Sequence, residues 1–321
     1  MSKLKYAALA VFIGVVATPA MADKAETKGG LKIKTDDGRF EMAIGGRIHF
    51  DYYVFSEDDN AAFGSSALTN NGGADFRRTY LTLTGKVYGW KYKFEHDFAA
   101  DSGAGKTGYR EMWVSTNLGP GELVLGQFKP FRGMEELTSS NEITLIERPT
   151  TSASGIYRNR QFQMGAGYKG LIADQFGYGA HLVALNAAGG TSEGMGYGAR
   201  AYWFPIASET QAVHLGLSYS SDREDVGSSE VQAAFNYGGR RGPGQNLARA
   251  GAVFNSPVPA GATAVQNGLG EQDTWALELG GAFGPLTAQA EYANASFNDV
   301  FGSTAAPRDS DVTAWYVQGS W

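Results

Sequence analysis

Polar and apolar side chains alternate with a period of two over most of the chain. In Arg47-Ile48-His49-Phe50-Asp51-Tyr52-Tyr53-Val54 the even positions are apolar and the odd ones mainly polar. Successive Cβ atoms of a strand point to opposite faces, so Ile48, Phe50, Tyr52 and Val54 share one face and Arg47, His49 and Asp51 the other. The pattern recurs. Tyr80, Thr82, Thr84 and Lys86 oppose Leu81, Leu83 and Val87, and Lys91, Lys93, Glu95 and Asp97 oppose Tyr92, Phe94 and Phe98. Arg200 and Tyr202 oppose Ala199, Ala201 and Trp203, and later segments around residues 213–219, 275–280 and 286–292 behave alike. Each segment is about ten residues long, which crosses a bilayer at ~45° tilt.

The connections between segments alternate in length. Gly89-Trp90, Leu118 to Gly121 and Gly284-Pro285 are short and carry turn residues. Residues 56–74 and 239–271 are long and rich in Gly, Ala, Asn or Ser. Short turns on one side and long loops on the other are the arrangement of an outer-membrane barrel, in which the apolar face meets lipid and the polar face lines water. A soluble sandwich does not require that alternation. The pattern predicts an all-β, antiparallel transmembrane β-barrel in one domain, residues 23–321.

The first 22 residues are expected to be removed. Lys3 and Lys5 precede an apolar run from Tyr6 to Ala17, and Ala20-Met21-Ala22 is a small-x-small cleavage site. The run is shorter than the ~20 residues of a spanning helix, so it predicts a signal peptide rather than an anchor. Removing it leaves 25 basic against 33 acidic residues, a net −8, the wrong sign for nucleic acid. Forty-four glycines, 16 tyrosines and 18 phenylalanines suit β structure with aromatic belts. With no cysteine, thiol redox chemistry and disulfides are excluded. His49, His96, His181 and His214 stand in no metal-ligand spacing, and no nucleophile elbow occurs. An enzyme, a cofactor and a metal are therefore not expected. Ser56-Glu57-Asp58-Asp59-Asn60 reads as a solvated acidic loop, since it lacks calcium-loop spacing.

One segment breaks the alternation. After Glu122 to Phe128 the chain runs Lys129-Pro130-Phe131-Arg132-Gly133-Met134-Glu135-Glu136-Leu137, and on to Glu142. Met134 to Leu137 is short enough for one helical turn. In a large barrel such a segment folds inward and narrows the channel; otherwise it is a surface loop. Lys129, Arg132, Glu135 and Glu136 are the candidate constriction residues. On the water face the candidates are Arg47, Arg78, Lys93, Arg200, Asp51 and Glu95. Guanidiniums there suit bidentate phosphate recognition. The other reading, which we favour, is a mixed-charge wall in which the bases pair with Asp51, Glu95, Asp97, Glu278 or Glu291. Arg77 falls on the apolar parity and is expected at a strand end, where a charge costs little.

Several short stretches, in their order and spacing, resemble the phosphate-selective porin O and P family over nearly the whole chain after residue 22. They are Lys28-Gly29-Gly30-Leu31, Gly45-Gly46-Arg47, Phe76-Arg77-Arg78, Trp90-Lys91-Tyr92, Gly126-Gln127-Phe128, Glu136 with Thr138-Ser139-Ser140, Glu147-Arg148, Asn255-Ser256-Pro257, Gly284-Pro285 and Ala288-Gln289-Ala290-Glu291-Tyr292. The resemblance implies a sixteen-stranded homotrimeric porin of the Gram-negative outer membrane, surrounded by lipid and lipopolysaccharide, with anion preference. Two departures separate the family from phosphate selection. Where the resemblance implies an arginine ladder, this chain has Ser229-Glu230-Val231-Gln232-Ala233-Ala234. Where it implies lysine near the constriction, Glu135-Glu136 and Asn141-Glu142 stand, and negative charge at a narrow point disfavours anions.

Roughly thirteen alternating segments lie between Arg47 and Trp321, against the even number of a closed single-chain barrel. The count and the resemblance together predict a chain cut short at its C-terminus. The counter-reading takes Trp321 as the true end, with Trp315 and Val317 at alternate positions before it as a barrel-assembly signal. The functional expectation is passive diffusion of small ions or phosphate-like solutes. Its rival is a non-conducting structural or adhesive barrel, whose lumen would be filled by bulky inner residues, whereas Gly165, Gly198, Gly216 and Gly280 leave space on that face.

Overall fold

The computed structural model describes residues 24–26, 31–54, 72–99, 108–153, 156–157, 162–186, 193–224, 235–237, 244–248, 270–301 and 307–321. The expected leader, residues 1–22, the acidic stretch 56–60 and the stretch 229–234 lie outside the described residues.

The strands of the first half are β1 (Lys24–Glu26), β2 (Leu31–Lys34), β3 (Phe40–Val54), β4 (Gly72–Val87), β5 (Trp90–Asp97), β6 (Tyr109–Leu118) and β7 (Gly121–Phe128). Two helical turns follow, α1 (Met134–Leu137) and α2 (Thr150–Ala153). The second half has β8 (Gln163–Ile172), β9 (Phe176–Asn186), β10 (Glu193–Ala207), β11 (Gln211–Glu224), β14 (Gly270–Phe283), β15 (Leu286–Phe301) and β16 (Pro307–Ser320). Between β11 and β14, β12 (Phe235–Tyr237) and β13 (Gly244–Ala248) form a hairpin of their own.

All strands except that hairpin make one fourteen-stranded sheet in chain order; twelve of them, β3–β11 and β14–β16, reach into the Arg47–Trp321 span in which roughly thirteen are expected. Every neighbouring pair is antiparallel, as in β3 with β4, β10 with β11 and β15 with β16. Among the described strands β11 pairs directly with β14. Among the described residues β16 is paired only with β15, and residues 45–54 of β3 only with β4.

The fold is the antiparallel β-barrel wall that the two-residue repeat predicts. The apolar face is turned out: Ile48, Phe50 and Tyr52 are 68%, 61% and 74% exposed, and Leu277, Leu279 and Val317 stand out likewise. For a water-soluble protein this band would be unstable; against lipid it is the favourable surface. No helix among the described residues is long and apolar enough to cross a membrane. The turn Tyr88-Gly89 joins β4 to β5 with φ of 50° and 86°. Two positive φ values are what a two-residue hairpin turn needs to follow the twist of the strands.

Of the β-bulges among the described strands, two matter for the inner face. Between β3 and β4 the pairing jumps from His49 with Arg78 to Phe50 with Phe76, leaving Arg77 as the extra residue. Between β5 and β6 it jumps from Phe94 with Met112 to His96 with Tyr109. At each bulge two consecutive charged side chains, Arg77-Arg78 and Arg110-Glu111, find ion-pair partners on the inner side. An extra residue shifts parity by one, so residues on either side keep facing lipid. This corrects the expectation for Arg77. It is not a tolerated charge near the interface but an inward one.

Candidate functional site

Residues 129–153 and 156–157, between β7 and β8, are packed against inner-face residues of both halves of the sheet. Towards the second half, the Phe131 N–H donates to His181 Nδ1 of β9 (3.2 Å) and Arg132 Nη1 to Asp222 Oδ2 of β11 (2.8 Å). The Met134 and Glu135 N–H groups donate to the Glu291 carboxylate of β15 at 2.6 and 3.1 Å. These are amides of the first turn of α1, which the helix itself leaves unpaired. Gln272 Nε2 of β14 donates to the Ile156 carbonyl (2.7 Å). Towards the first half, Arg47 Nη1 of β3 donates to Ser140 Oγ (2.8 Å), and Arg77 of β4 grips Glu147 with two donors. Only a sheet curled around the segment brings β3 and β4 as well as β9, β11, β14 and β15 within its reach.

The segment is fixed from within as well. Arg148 donates from Nε to the Glu135 carbonyl (3.1 Å) and from Nη2 to the Thr138 carbonyl, acceptors left open at the end of α1. Lys129 Nζ donates to the Glu136 carbonyl (2.6 Å). Burial brings the Lys129 ammonium down to about 8, against an upward pull from Glu136, and Arg148 and Arg110 push it the same way as burial. The Phe131 ring lies on the wall where β8 and β9 carry glycine. A Cβ at Gly179 would come within 2.8 Å of that ring. The glycines that seemed to leave open space are therefore partly taken up by this segment and by neighbouring side chains: a Cβ at Gly198 would meet His181 and one at Gly216 the Glu278 carboxylate.

The candidate constriction residues are placed unevenly. Arg132 is 2% exposed and holds Asp222, so it ties the segment to the wall. Glu135 and Glu136, expected to present negative charge at a narrow point, are instead buried: Gln289 Nε2 donates to Glu135 (2.8 Å) and Ser152 donates to Glu136. The parity argument could not see this, because a segment without strand periodicity has no predictable faces.

The candidate wall residues fall into two groups. On β10, Arg200 makes a two-donor contact with Glu278 of β14 at 2.8 and 2.6 Å, and His214 Nε2 lies 2.9 Å from the same carboxylate. On β3–β6 the charges form a chain. Lys93 pairs with Glu111 and approaches Glu95 to 3.9 Å, while Arg110 Nε donates to Glu95 (3.0 Å). Lys91 and Lys169 share Glu122 at 2.8 and 3.5 Å. The Tyr80 ring is flanked by the guanidiniums of Arg47 (5.0 Å) and Arg110 (4.3 Å), a cation–π arrangement that keeps both groups in place. Arg78 Nη1 lies 3.2 Å from His49 Nδ1. Asp51 stands on the same strand, close enough to act on Arg77. Of the bases expected to pair with wall acids, Lys93 lies 3.9 Å from Glu95 and Arg200 holds Glu278, whereas Arg47 and Arg78 turn to the segment.

Sequence reading missed four participants. Arg110 and Glu111 were hidden by the bulge, and a pair of adjacent charges inside an alternating run was the available signal. Glu147 was noted only as part of a motif. The fourth is a lysine group at the short-turn end, where Lys32, Lys34, Lys86 and Lys91 with Glu41 line a cavity of about 670 Å³. Leu31-Lys32-Ile33-Lys34 alternates and could have been read as a strand. Among the described residues no cluster of His, Asp and Glu could hold a metal ion.

A lipid-facing antiparallel sheet wrapped around an inserted segment, with paired charges on the inner wall, defines the class of outer-membrane β-barrel proteins. The chain belongs to the phosphate-selective porin O and P family, whose model matches residues 42–321, and it is a protein of the Gram-negative outer membrane. It is 31% identical over 299 residues to Porin O of Pseudomonas aeruginosa, a match covering 88% of this chain and 64% of that protein. The chain thus spans less than two thirds of the length of that curated relative. Among solved structures it resembles the outer membrane channel DcaP of Acinetobacter baumannii (TM-score 0.38, 13% identity, 89% of this chain and 99% of that one). It also resembles a loop-deletion variant of OmpT, an outer membrane protein of Vibrio cholerae (TM-score 0.35, 12% identity, 90% and 78%).

Proposed function

We propose that the chain forms a water-filled channel for passive diffusion of small ions and polar solutes across the outer membrane. The observation that carries this reading is the sorting of side chains: exposed Ile48, Phe50 and Tyr52 outside, and charged Arg47, Lys93, Glu95 and Arg110 inside. The passage runs along the β3–β7 wall, where Lys91 and Lys93 keep 42% and 25% of their side-chain surface exposed, next to Lys169 of β8 at 46%. The inserted segment covers the opposite wall and sets the width. Arg47, Asp51 and Lys93 line the passage, backed by the nearly buried Arg78 and Glu95; Lys129, Arg200 and Arg132 hold the framework. Charges of both signs alternate and neutralise one another, so the channel discriminates weakly and does not select phosphate. The assembly is a homotrimer in contact with lipid and lipopolysaccharide, and it performs no catalysis.

Refolded protein in a planar bilayer tests this. Stepwise conductance with a reversal potential near zero in a KCl gradient is expected, and millimolar phosphate leaves the steps unchanged. Absence of steps from folded protein would turn the reading towards a structural barrel.

A further inference from the structure

We propose that Glu147 is a tethered counter-ion that occupies the channel's best anion site and so suppresses anion selection. This rests on the diffusion-channel reading. The bulge in β4 places two adjacent guanidiniums, Arg77 and Arg78, on the inner face. Arg77 holds the Glu147 carboxylate through both Nε and Nη2, the latter to Oε2 at 2.9 Å, and Arg78 Nη2 approaches that same Oε2 at 3.9 Å. Fork-to-fork contact of this kind is how a guanidinium binds a free oxyanion.

The charges facing the site from every neighbouring element favour an anion. β4 gives Arg77 and Arg78, the inserted segment gives Arg148 beside Glu147, and β3 gives His49 and Asp51. Three guanidiniums, Arg77, Arg78 and Arg148, thus face two carboxylates, of which only Glu147 is in contact with both Arg77 and Arg78. A carboxylate held on the chain is present at high effective concentration and excludes a diffusing anion that needs the same donors. Glu147 side chain is 31% exposed, whereas Arg78 is 5% exposed behind it. The carboxylate therefore stands between the arginines and the water. The same contact pins the tip of the inserted segment to the wall, so Glu147 also positions that segment.

The test uses the full chain in planar bilayers and, separately, in detergent micelles. In Glu147→Gln the amide no longer neutralises the arginines. The chloride-to-potassium permeability ratio is expected to rise about threefold, the scale of one added charge at a constriction. Inorganic phosphate, inert on the wild type, should block the variant. Calorimetric titration of phosphate into the micellar protein should give at least about fivefold tighter binding in the variant, a readout independent of conduction. Glu147→Asp, which keeps the charge but shortens the reach, should shift both quantities less in the same direction. It also serves if the glutamine variant does not fold. Arg77→Gln combined with Glu147→Gln should return them towards wild-type values. A variant with noisier current but unchanged reversal potential and phosphate binding would show that Glu147 is only a structural clamp, and would overturn the proposal. Conductance absent from the wild type would instead overturn the channel reading, leaving the calorimetric comparison to decide on Glu147.

Discussion

The inner faces of β3–β7 and of β9–β15 carry similar residues in different surroundings. On the β9–β15 side the side chains of Asp222 and Glu278 are 1% and 0% exposed, and each is held by an arginine. On the β3–β7 side the lysines of the ion-paired chain stay in contact with solvent. The inserted segment makes the difference, since it lies over the β9–β15 wall and leaves most of the β3–β7 wall open. Identical chemistry therefore serves anchoring on one side and the passage on the other. A buried ion pair adds little net stability, but removing one partner leaves an uncompensated charge and is costly. An exposed pair is nearly neutral in stability and instead shapes the field met by a permeant ion.

Substitutions on the two walls should therefore separate stability from selectivity. The largest effect is expected for Arg132→Leu, which strands Asp222 and should lower stability in micelles by about 3–5 kcal/mol, measured by denaturant unfolding. Glu278→Gln should cost about 2–3 kcal/mol, because Arg200 and His214 lose a charged acceptor. Lys129 predicts a pH effect of similar or smaller size. An unfolded lysine keeps its proton to about 10.4, whereas the buried Lys129 releases it at about 8. The folded state thus binds fewer protons between those values, and stability rises as pH increases through that window; below pH 8 the cost of the buried ammonium is present in full. Between pH 7 and 9.5 the wild type should gain up to about 2 kcal/mol relative to Lys129→Met. The smallest stability change, under about 1 kcal/mol, is expected for Lys93→Gln on the open wall. That variant should nevertheless lower the anion-to-cation permeability ratio about twofold, read from the reversal potential.

Much of the wall was legible in advance, because burial on one face of a strand forces a two-residue repeat that survives in the sequence. Ile48, Phe50 and Tyr52 opposite Arg47, His49 and Asp51 needed no partner to be read, and the turn at 88–89 declared itself through its glycine. The bulges were not legible as such. Arg77 and Arg110-Glu111 break parity, and only the paired strand shows that one extra residue has turned them inward. The inserted segment was the least legible part. Its break in rhythm marked it, and its helical turn over Met134–Leu137 followed, but the direction of Glu135 and Glu136 depends on Gln289, Glu291 and Ser152, up to some 156 residues away in the chain. Long-range contacts of that kind leave no local periodicity.

The account's central claim is that solute passes along β3–β7 and not behind the inserted segment. The chain has no cysteine, so single cysteines introduced by Lys93→Cys and Thr274→Cys can be tested with a charged, water-soluble thiol reagent during single-channel recording. The account predicts that Lys93→Cys is modified within seconds and loses conductance in discrete steps, while Thr274→Cys, on the covered wall, stays unmodified and conducts as before. Rapid block at position 274 with none at 93 would contradict it.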